Sequence, residues 1–419
     1  MVLIFLKKNQ PKKYLYRLNS SRYWRSKPIE KTIMKIVLFT HPSFVGSQSM
    51  PRYAKMLADG MQQKGYEVLT WQPQAFFYKL PFSPIKKWLG YIDQYLVFPL
   101  KVKSKLKHCS KDTIFVFADQ ALGPWVPLVK TKPHVIHCHD FLALNSALGK
   151  IPENPTRGTG KIYQDFIRKG FSKGKHFISI SKKTQEDLHE LHEGKISSSV
   201  VCYNGLNREF KVLDTHSSRN SLDNLLNIDL SAGYILHVGG NQFYKNRKGV
   251  IEIYNAWRAS SDVFLPLVLV GAQPTDKLKE VYEKSLYKKD IHFVIGLDDQ
   301  YINAAYSGAT CLLFPSLDEG FGWPIAEAMA CGCPVVTTNR APMTEILGFA
   351  DFFLIQRRPF NALLVEDWSK KAANQITRIV NLSDAERQEC IATGLESIKK
   401  FDTEFFLNQL EQQYKLIIE

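Results

Sequence analysis

The sequence predicts an α/β protein made of two Rossmann-like domains in series. Three observations carry that prediction. Short apolar runs of strand character alternate with stretches of helical periodicity along most of the chain. The runs fall into two series, and a polar stretch from Asp214 to Ser231 separates them. Such alternation builds parallel sheets joined by crossover helices.

The elements follow in order. Residues 1–33 carry nine basic residues and one acid, Glu30, and read as a basic extension rather than a fold. The apolar opening, Met1 to Leu6, is too short for a signal-peptide core. The first series opens at Ile36–Phe39 and continues with Ile114–Phe117, Val135–His137, His176–Ile180 and Ser199–Tyr203. It predicts a first domain over 34–212. The second series is Tyr234–Val238, Leu265–Val270, His292–Ile295, Thr310–Phe314 and Pro334–Thr337, giving a second domain over 213–396. Helical patterns at Met50–Lys64, Val250–Arg258 and Trp323–Ala330 supply crossovers. From Ser383 the chain reads as amphipathic helix, with Ser383 and Glu386 spaced as a capping box. Residues 397–419 form the last helix.

Composition narrows the class. Of 419 residues, 45% are hydrophobic and 23% charged, the balance of an ordinary globular chain. No apolar run reaches the length of a membrane span. The seven cysteines are scattered, without a CxxC pair, so neither a disulfide framework nor a zinc site is expected; a reducing cytoplasm fits. The net charge of +15 is uneven. Residues 1–200 hold 33 Lys and Arg against 13 Asp and Glu, and residues 201–419 hold 22 against 27. A basic first half suits an anionic partner or a solubilising surface.

The stretch Phe314 to Val336 is the most informative. A strand ends at Phe314 and a loop with Glu319, Gly320, Phe321 and Gly322 leads into a helix with Pro324 in its first turn. A helix start offers free N–H groups to an anion, and glycines let a ligand approach the backbone. Glu319 in the loop and Glu327 in the helix suit hydrogen bonds to sugar hydroxyls. A second stretch, Tyr234 to Val250, runs from a strand through Gly239 and Gly240 into Lys245, Asn246, Arg247 and Lys248. Such a cluster is a solvated basic loop or a place for an anion. In the first half, Pro133 to Asp140 ends a strand in His134, His137 and His139. Alternation puts His137 and His139 on one face and His134 on the other, which does not make a metal site.

The run EGFGWPIAEAMACGCPVV, residues 319–336, resembles the signature of the family 4 retaining glycosyltransferases, of glycosyl transferases group 1. The resemblance extends over the chain from about Met34. It implies the GT-B fold, two Rossmann-like domains facing a cleft, and sugar transfer from a nucleotide-sugar donor to a glycan, lipid-linked or other hydroxyl acceptor. It implies that Glu319 contacts the donor sugar, that Glu327 contacts the ribose, and that Gly320, Phe321, Gly322, Gly240 and Glu345 line the donor site. It puts His139 beside the donor sugar at the cleft. Matching the following apolar pattern puts the phosphate lysine at Lys248 with Arg247 adjacent; the pair Lys245 and Asn246 fits the same motif. Gly46 and Ser47, after the first strand, stand where the family often has glycines and would meet a phosphate or acceptor. No metal and no other cofactor is expected. The last helix is expected to cross back to the first domain. The other reading is a non-catalytic nucleotide-sugar or polyanion binding protein of the same fold.

One segment lies outside this account. From Trp71 to Lys107 aromatic residues interleave with seven lysines and a single acid, Asp93. That pattern suits an anionic membrane surface, single-stranded nucleic acid, or a helix packed on its own domain. No nucleic-acid motif accompanies it, so no nucleic acid is expected as partner. The expected location is cytoplasmic, peripheral on the inner face of the membrane.

Overall fold

A computed structural model describes residues 34–46, 49–81, 83–206, 210–348 and 353–419. The basic extension 1–33 and Ser47 lie outside the described residues.

Twelve strands are assigned among the described residues. They form two parallel six-stranded sheets. The first holds β1 (Lys35–Phe39), β2 (Glu67–Trp71), β3 (Thr113–Phe117), β4 (His134–Cys138), β5 (His176–Ser179) and β6 (Ser198–Val201), in the order β2-β1-β3-β4-β5-β6. The second holds β7 (Ile235–Gly239), β8 (Leu267–Gly271), β9 (Ile291–Ile295), β10 (Cys311–Phe314), β11 (Val335–Thr338) and β12 (Leu354–Ile355), in the order β12-β11-β10-β7-β8-β9. The strands β1, β3, β4, β10 and β11 are buried or nearly so at every position, which is why they read as mostly apolar runs, with His134 and His137 buried in β4 and Thr337 and Thr338 in β11. The strand β2 has no counterpart among the apolar runs. It is an edge strand with Glu67, Leu69 and Thr70 exposed, so its sequence is mixed.

The polar stretch between the two series is not a linker. It holds the helix Thr215–Leu226, capped by Asp214, whose Oδ1 accepts from Ser217 N at 2.8 Å. Leu222 packs into the second core. Few other apolar side chains mark its inner side, so the run has the composition of a loop.

The last helix, Thr403–Ile418, lies on the first sheet. Phe406, Leu410 and Tyr414 are buried there beside Leu57, Met61 and Ile114. His137 in β4 bonds both ways: Nδ1 to the Tyr53 hydroxyl at 2.5 Å and Nε2 to the Tyr414 hydroxyl at 2.9 Å. A neutral imidazole donates one of these bonds and accepts the other. Burial pushes the His137 imidazole down to about 3. The chain thus crosses between domains twice, after β6 and before this helix. The two crossings are tied: Leu206 N donates to Phe401 O at 2.9 Å, and Thr403 Oγ1 donates to Leu206 O at 2.6 Å.

All seven cysteines are free thiols. Among the described residues no helix is long and apolar enough to cross a membrane.

Candidate active site

In open α/β sheets, ligands bind at the carboxyl ends of the strands where the strand order reverses. In the second sheet that place lies between β7 and β10. The residues after these two strands meet there. After β7 the chain makes a turn, Phe243–Lys245, and Asn246 takes the left-handed conformation at φ 49°. Asn246 caps the helix Arg247–Ser260 through a bond from Gly249 N to its Oδ1 at 3.2 Å, and its Nδ2 donates to Pro315 O at 2.9 Å. Asparagine tolerates this backbone and caps as well. The cap aims Lys245 across the sheet end. Its Nζ lies 2.8 Å from Glu319 Oε1, and Ser316 Oγ donates to the same oxygen at 2.8 Å.

Of the other basic residues, Arg247 turns inward. Its Nη1 donates to Asn241 Oδ1 and Ala272 O, both at 2.7 Å, while Nε and Nη2 are buried without a partner. Lys248 faces outward, 56% exposed, and lies 3.6 Å from Glu252. The structure therefore brings Lys245, not Lys248, to Glu319. Gly240 lies at the end of β7 beside Gln242.

The loop after β10 closes on the first domain. A Cβ at Gly320 would lie 2.1 Å from the His139 carbonyl oxygen, so only glycine fits. Ser181 Oγ donates to Gly320 O at 2.9 Å, and Thr184 Oγ1 reaches both Gly320 O and His139 O at 3.3 and 3.2 Å. Phe321 is buried with its ring edge-on to Phe401, 5.4 Å away. Gly322 at φ 105° precedes the helix Trp323–Ala330. From this helix Glu327 accepts a hydrogen bond from the Tyr306 hydroxyl at 2.7 Å. Glu327 lines a cleft of about 640 Å³ between the domains, with Arg52, Lys55 and Asp59 on the opposite wall.

His139 is buried, edge-on to Tyr53, with Nε2 against Ala118 O at 2.8 Å. Burial lowers its pKa, against the opposing charge of Asp119. Asp140 is pushed up to about 6 by burial, then by Asp119, Glu319 and Asp318. Four carboxylates from both domains thus converge here, and the nearest cation to Glu319 is Lys245.

Glu345 and Gly46 take no part in these contacts. Glu345 lies at the domain boundary: its carboxylate accepts from Lys182 N at 2.8 Å and Lys183 N at 2.9 Å, at the start of the helix Lys182–Leu191. The Tyr203 hydroxyl donates to it at 3.2 Å. Gly46 is exposed at φ 75° after the turn Ser43–Val45.

A pair that the sequence did not single out stands at the matching place in the first sheet, between β1 and β3. His41 Nε2 lies 2.8 Å from Asp119 Oδ2. Burial raises the Asp119 carboxyl, but His41 and His139 together bring it below its ordinary value. A cavity of about 390 Å³ adjoins the pair, lined also by Thr40, Lys55, Gln62 and Gln72. The available signal was positional: each residue follows a predicted strand within two positions.

Among the described residues no group of three His, Cys, Asp or Glu side chains is placed to hold a metal ion.

Residues 219–396 match the family described as Glycosyl transferases group 1. An O-antigen chain mannosyltransferase B of Escherichia coli is 30% identical over 188 residues, 44% of this chain and 46% of the relative. The chain spans about half, or less, of the length of the first mannosyltransferases that it matches. A sucrose-phosphate synthase from Thermosynechococcus elongatus superposes with a TM-score of 0.68 at 17% identity, over 91% of this chain and 98% of that one. HepE from Anabaena, in complex with UDP and glucose, superposes with a TM-score of 0.66 at 16% identity, over 91% and 100%. The fold is GT-B: two Rossmann-like domains with the cleft between them.

Proposed function

We propose, on the premise that this chain is a group 1 glycosyltransferase by its residues 219–396, that it moves a sugar from a nucleotide-sugar donor to a hydroxyl of a glycan or lipid-linked acceptor, with retention and without a divalent metal. The observation that carries the reading is the buried set Lys245, Glu319 and Ser316 at the strand-order reversal of the second sheet, closed over by His139 of the first domain.

The chemistry follows from the charges. The bond between the anomeric carbon and the phosphate oxygen breaks, and negative charge builds on the nucleotide. On this reading Lys245 meets that charge, and Arg247, bonded to Asn241 and Ala272 after β7 and β8, adds a second buried cation with Nε and Nη2 unpaired. Preorganised cations in a dry site stabilise such charge strongly. Glu319 takes hydrogen bonds from the donor sugar, exchanging part of its contact with Lys245 for the diphosphate. Glu327, at the cleft wall, takes the ribose hydroxyls. The acceptor oxygen attacks on the face that the phosphate leaves, and its proton passes to the leaving phosphate oxygen. No protein base is then required. His139 borders the sugar through its backbone carbonyl and ring. The His41–Asp119 pair and its cavity face the acceptor side of the cleft.

The first matched relatives are named as mannosyltransferases, so nucleotide-activated mannose is the first donor to test; UDP-glucose, which Anabaena HepE binds, is the alternative. A thermal-shift panel of nucleotide sugars on wild type and Glu327→Ala, with and without EDTA, tests the reading. A ligand of the folded state raises its melting temperature. A shift for one nucleotide sugar that survives EDTA and is lost in the variant is expected. Absence of any shift, together with absence of donor hydrolysis, would overturn it.

A further inference from the structure

We propose that the face formed by residues 86–106 and the helix Thr159–Phe171 docks on an anionic lipid bilayer. The helix Lys86–Ile92 passes through a π-turn, Asp93–Val97, into the helix Phe98–Leu106. Leu89, Phe98 and Val102 pack inward. Trp88, Leu96 and Leu100 point to solvent, 57%, 63% and 68% exposed. Trp88, Ile92, Leu96 and Leu100 recur at every fourth residue. In a plain α-helix such a row drifts by about 40° per step. The wider π-turn takes part of that rotation back and keeps the row on one side.

A second helix extends the face. Tyr163 stacks on Tyr91 at 5.5 Å and bonds the Tyr95 hydroxyl at 2.8 Å. Beside it Ile162 and Phe166 stand 71% and 45% exposed. Large apolar side chains left in solvent over so continuous an area mark an interaction surface.

Charge selects the occupant. Seven lysines of the segment, Lys79, Lys86, Lys87, Lys101, Lys103, Lys105 and Lys107, are exposed, and of these Lys86 leans over the Tyr78 ring and Lys105 over Trp71. The one acid of the segment, Asp93, is buried and turned away; its carboxylate accepts from Phe76 N, Phe77 N and Tyr78 N at 2.9–3.0 Å. Asp165 on the second helix is paired with Lys169 at 2.7 Å. Lysines attract an anionic headgroup layer while tryptophan and aliphatic side chains enter beneath it. A second copy of the chain would set these lysines against one another. Trp88 and Phe166 offer rings, but Leu96, Leu100 and Ile162, the most exposed members of the face beside them, are aliphatic; such side chains enter a bilayer and do not stack on bases.

The segment touches the turn after β1, whose Ser43 lines the cavity beside His41. Tyr78 stacks on Phe44 at 4.6 Å, and Phe44 belongs to the turn that follows β1. Docking stands on these observations alone. Its consequence, that the acceptor is presented at a membrane surface, rests on the transferase reading.

Co-sedimentation of the full chain with vesicles tests it, using phosphatidylcholine alone and phosphatidylcholine mixed with phosphatidylglycerol. Wild type is expected to sediment with the anionic vesicles and to stay in solution with the neutral ones. Trp88→Ser with Leu96→Ser, and separately Lys101→Glu with Lys103→Glu, are each expected to weaken binding by about tenfold or more. All four side chains are exposed, and an unchanged melting temperature would show that the variants fold. Equal sedimentation of variants and wild type would overturn the proposal. So would equal binding to neutral vesicles, release of the bound protein by a single-stranded RNA oligonucleotide at equal phosphate, or a dimer abolished by Trp88→Ser. Vesicle binding needs no donor, so its failure leaves the transferase reading standing, and the donor panel can fail without touching this result.

Discussion

Lys245 Nζ lies 2.8 Å from Glu319 Oε1, although the two residues are separated by 74 positions and belong to loops after different strands. Both side chains are largely buried, 14% and 7% exposed. The ammonium also stands 5.0 Å over the Phe314 ring. On the proposed reading, the carboxylate that would meet the sugar is held by the cation that would meet its phosphate. Occupation of the site by a donor would then relieve the pair by giving each partner a new contact.

Replacing Lys245 by Met is expected to lower the turnover number by about 100- to 1,000-fold, the range for losing one donor at a developing anion. It also leaves Glu319 buried without its cation, a loss of about 3–5 kcal/mol of stability. Lys248→Met removes an exposed charge and should change turnover by less than about fivefold. Steady-state kinetics on the two variants side by side decide which lysine meets phosphate. A severe loss in Lys248→Met with an intact Lys245→Met would reverse the assignment.

Much of this site was legible because its parts lie in one stretch. Glu319, Gly320, Gly322 and Glu327 sit within nine residues, and the backbone demands on the glycines fix their spacing. The strand series were legible because strands buried on both faces are mostly apolar. The cation was not settled by spacing, because Lys245, Arg247 and Lys248 all fit a basic helix start. Only the left-handed Asn246 cap decides which of them faces the sheet end. The His41–Asp119 pair joins residues 78 apart in sequence, and no local pattern connects them. Glu345 read as a donor residue because it follows the last main strand, yet its helix points it at the first domain.

The contact of Gly320 with His139 predicts a defined effect of one methyl group. The added Cβ has no rotamer and the atom it meets is a backbone carbonyl oxygen, so no side-chain rotation relieves the 2.1 Å approach. Gly320→Ala is expected to hold the loop off the first domain, to lower stability by about 1–3 kcal/mol, and to lower transfer by about tenfold or more through lost alignment. Small-angle scattering should show a larger radius of gyration than wild type. Wild-type dimensions with wild-type transfer would show that the contact is dispensable.

Asp140 predicts a pH dependence. Its carboxyl is raised from an ordinary value of 3.8 to about 6, chiefly by burial. A raised acid favours folding while protonated, so its contribution is full below about pH 4 and is lost as pH rises through about 6. Wild type should therefore lose about 1–3 kcal/mol over that window through this group, since each tenfold change in an acid's ionisation equilibrium is worth about 1.4 kcal/mol. Asp140→Asn cannot ionise and should lack that loss. Urea unfolding of both proteins on either side of the window measures the difference. Parallel profiles for the two proteins would show that Asp140 is not perturbed.

Glu345 supplies a prediction that separates architecture from donor binding. Its two carboxylate oxygens take the N–H groups of Lys182 and Lys183, which have no partner within their own helix. The negative charge also complements the helix start, so the second domain caps a helix of the first. Glu345→Ala should cost about 1–3 kcal/mol of stability, from two lost charge-assisted hydrogen bonds and an open helix end. Its independence of the Lys245–Glu319 pair is tested by the donor: the thermal shift that a saturating nucleotide sugar produces should equal that of wild type, on a lowered baseline. A baseline unchanged from wild type with the donor shift abolished would instead return Glu345 to the donor site and remove it from the domain boundary.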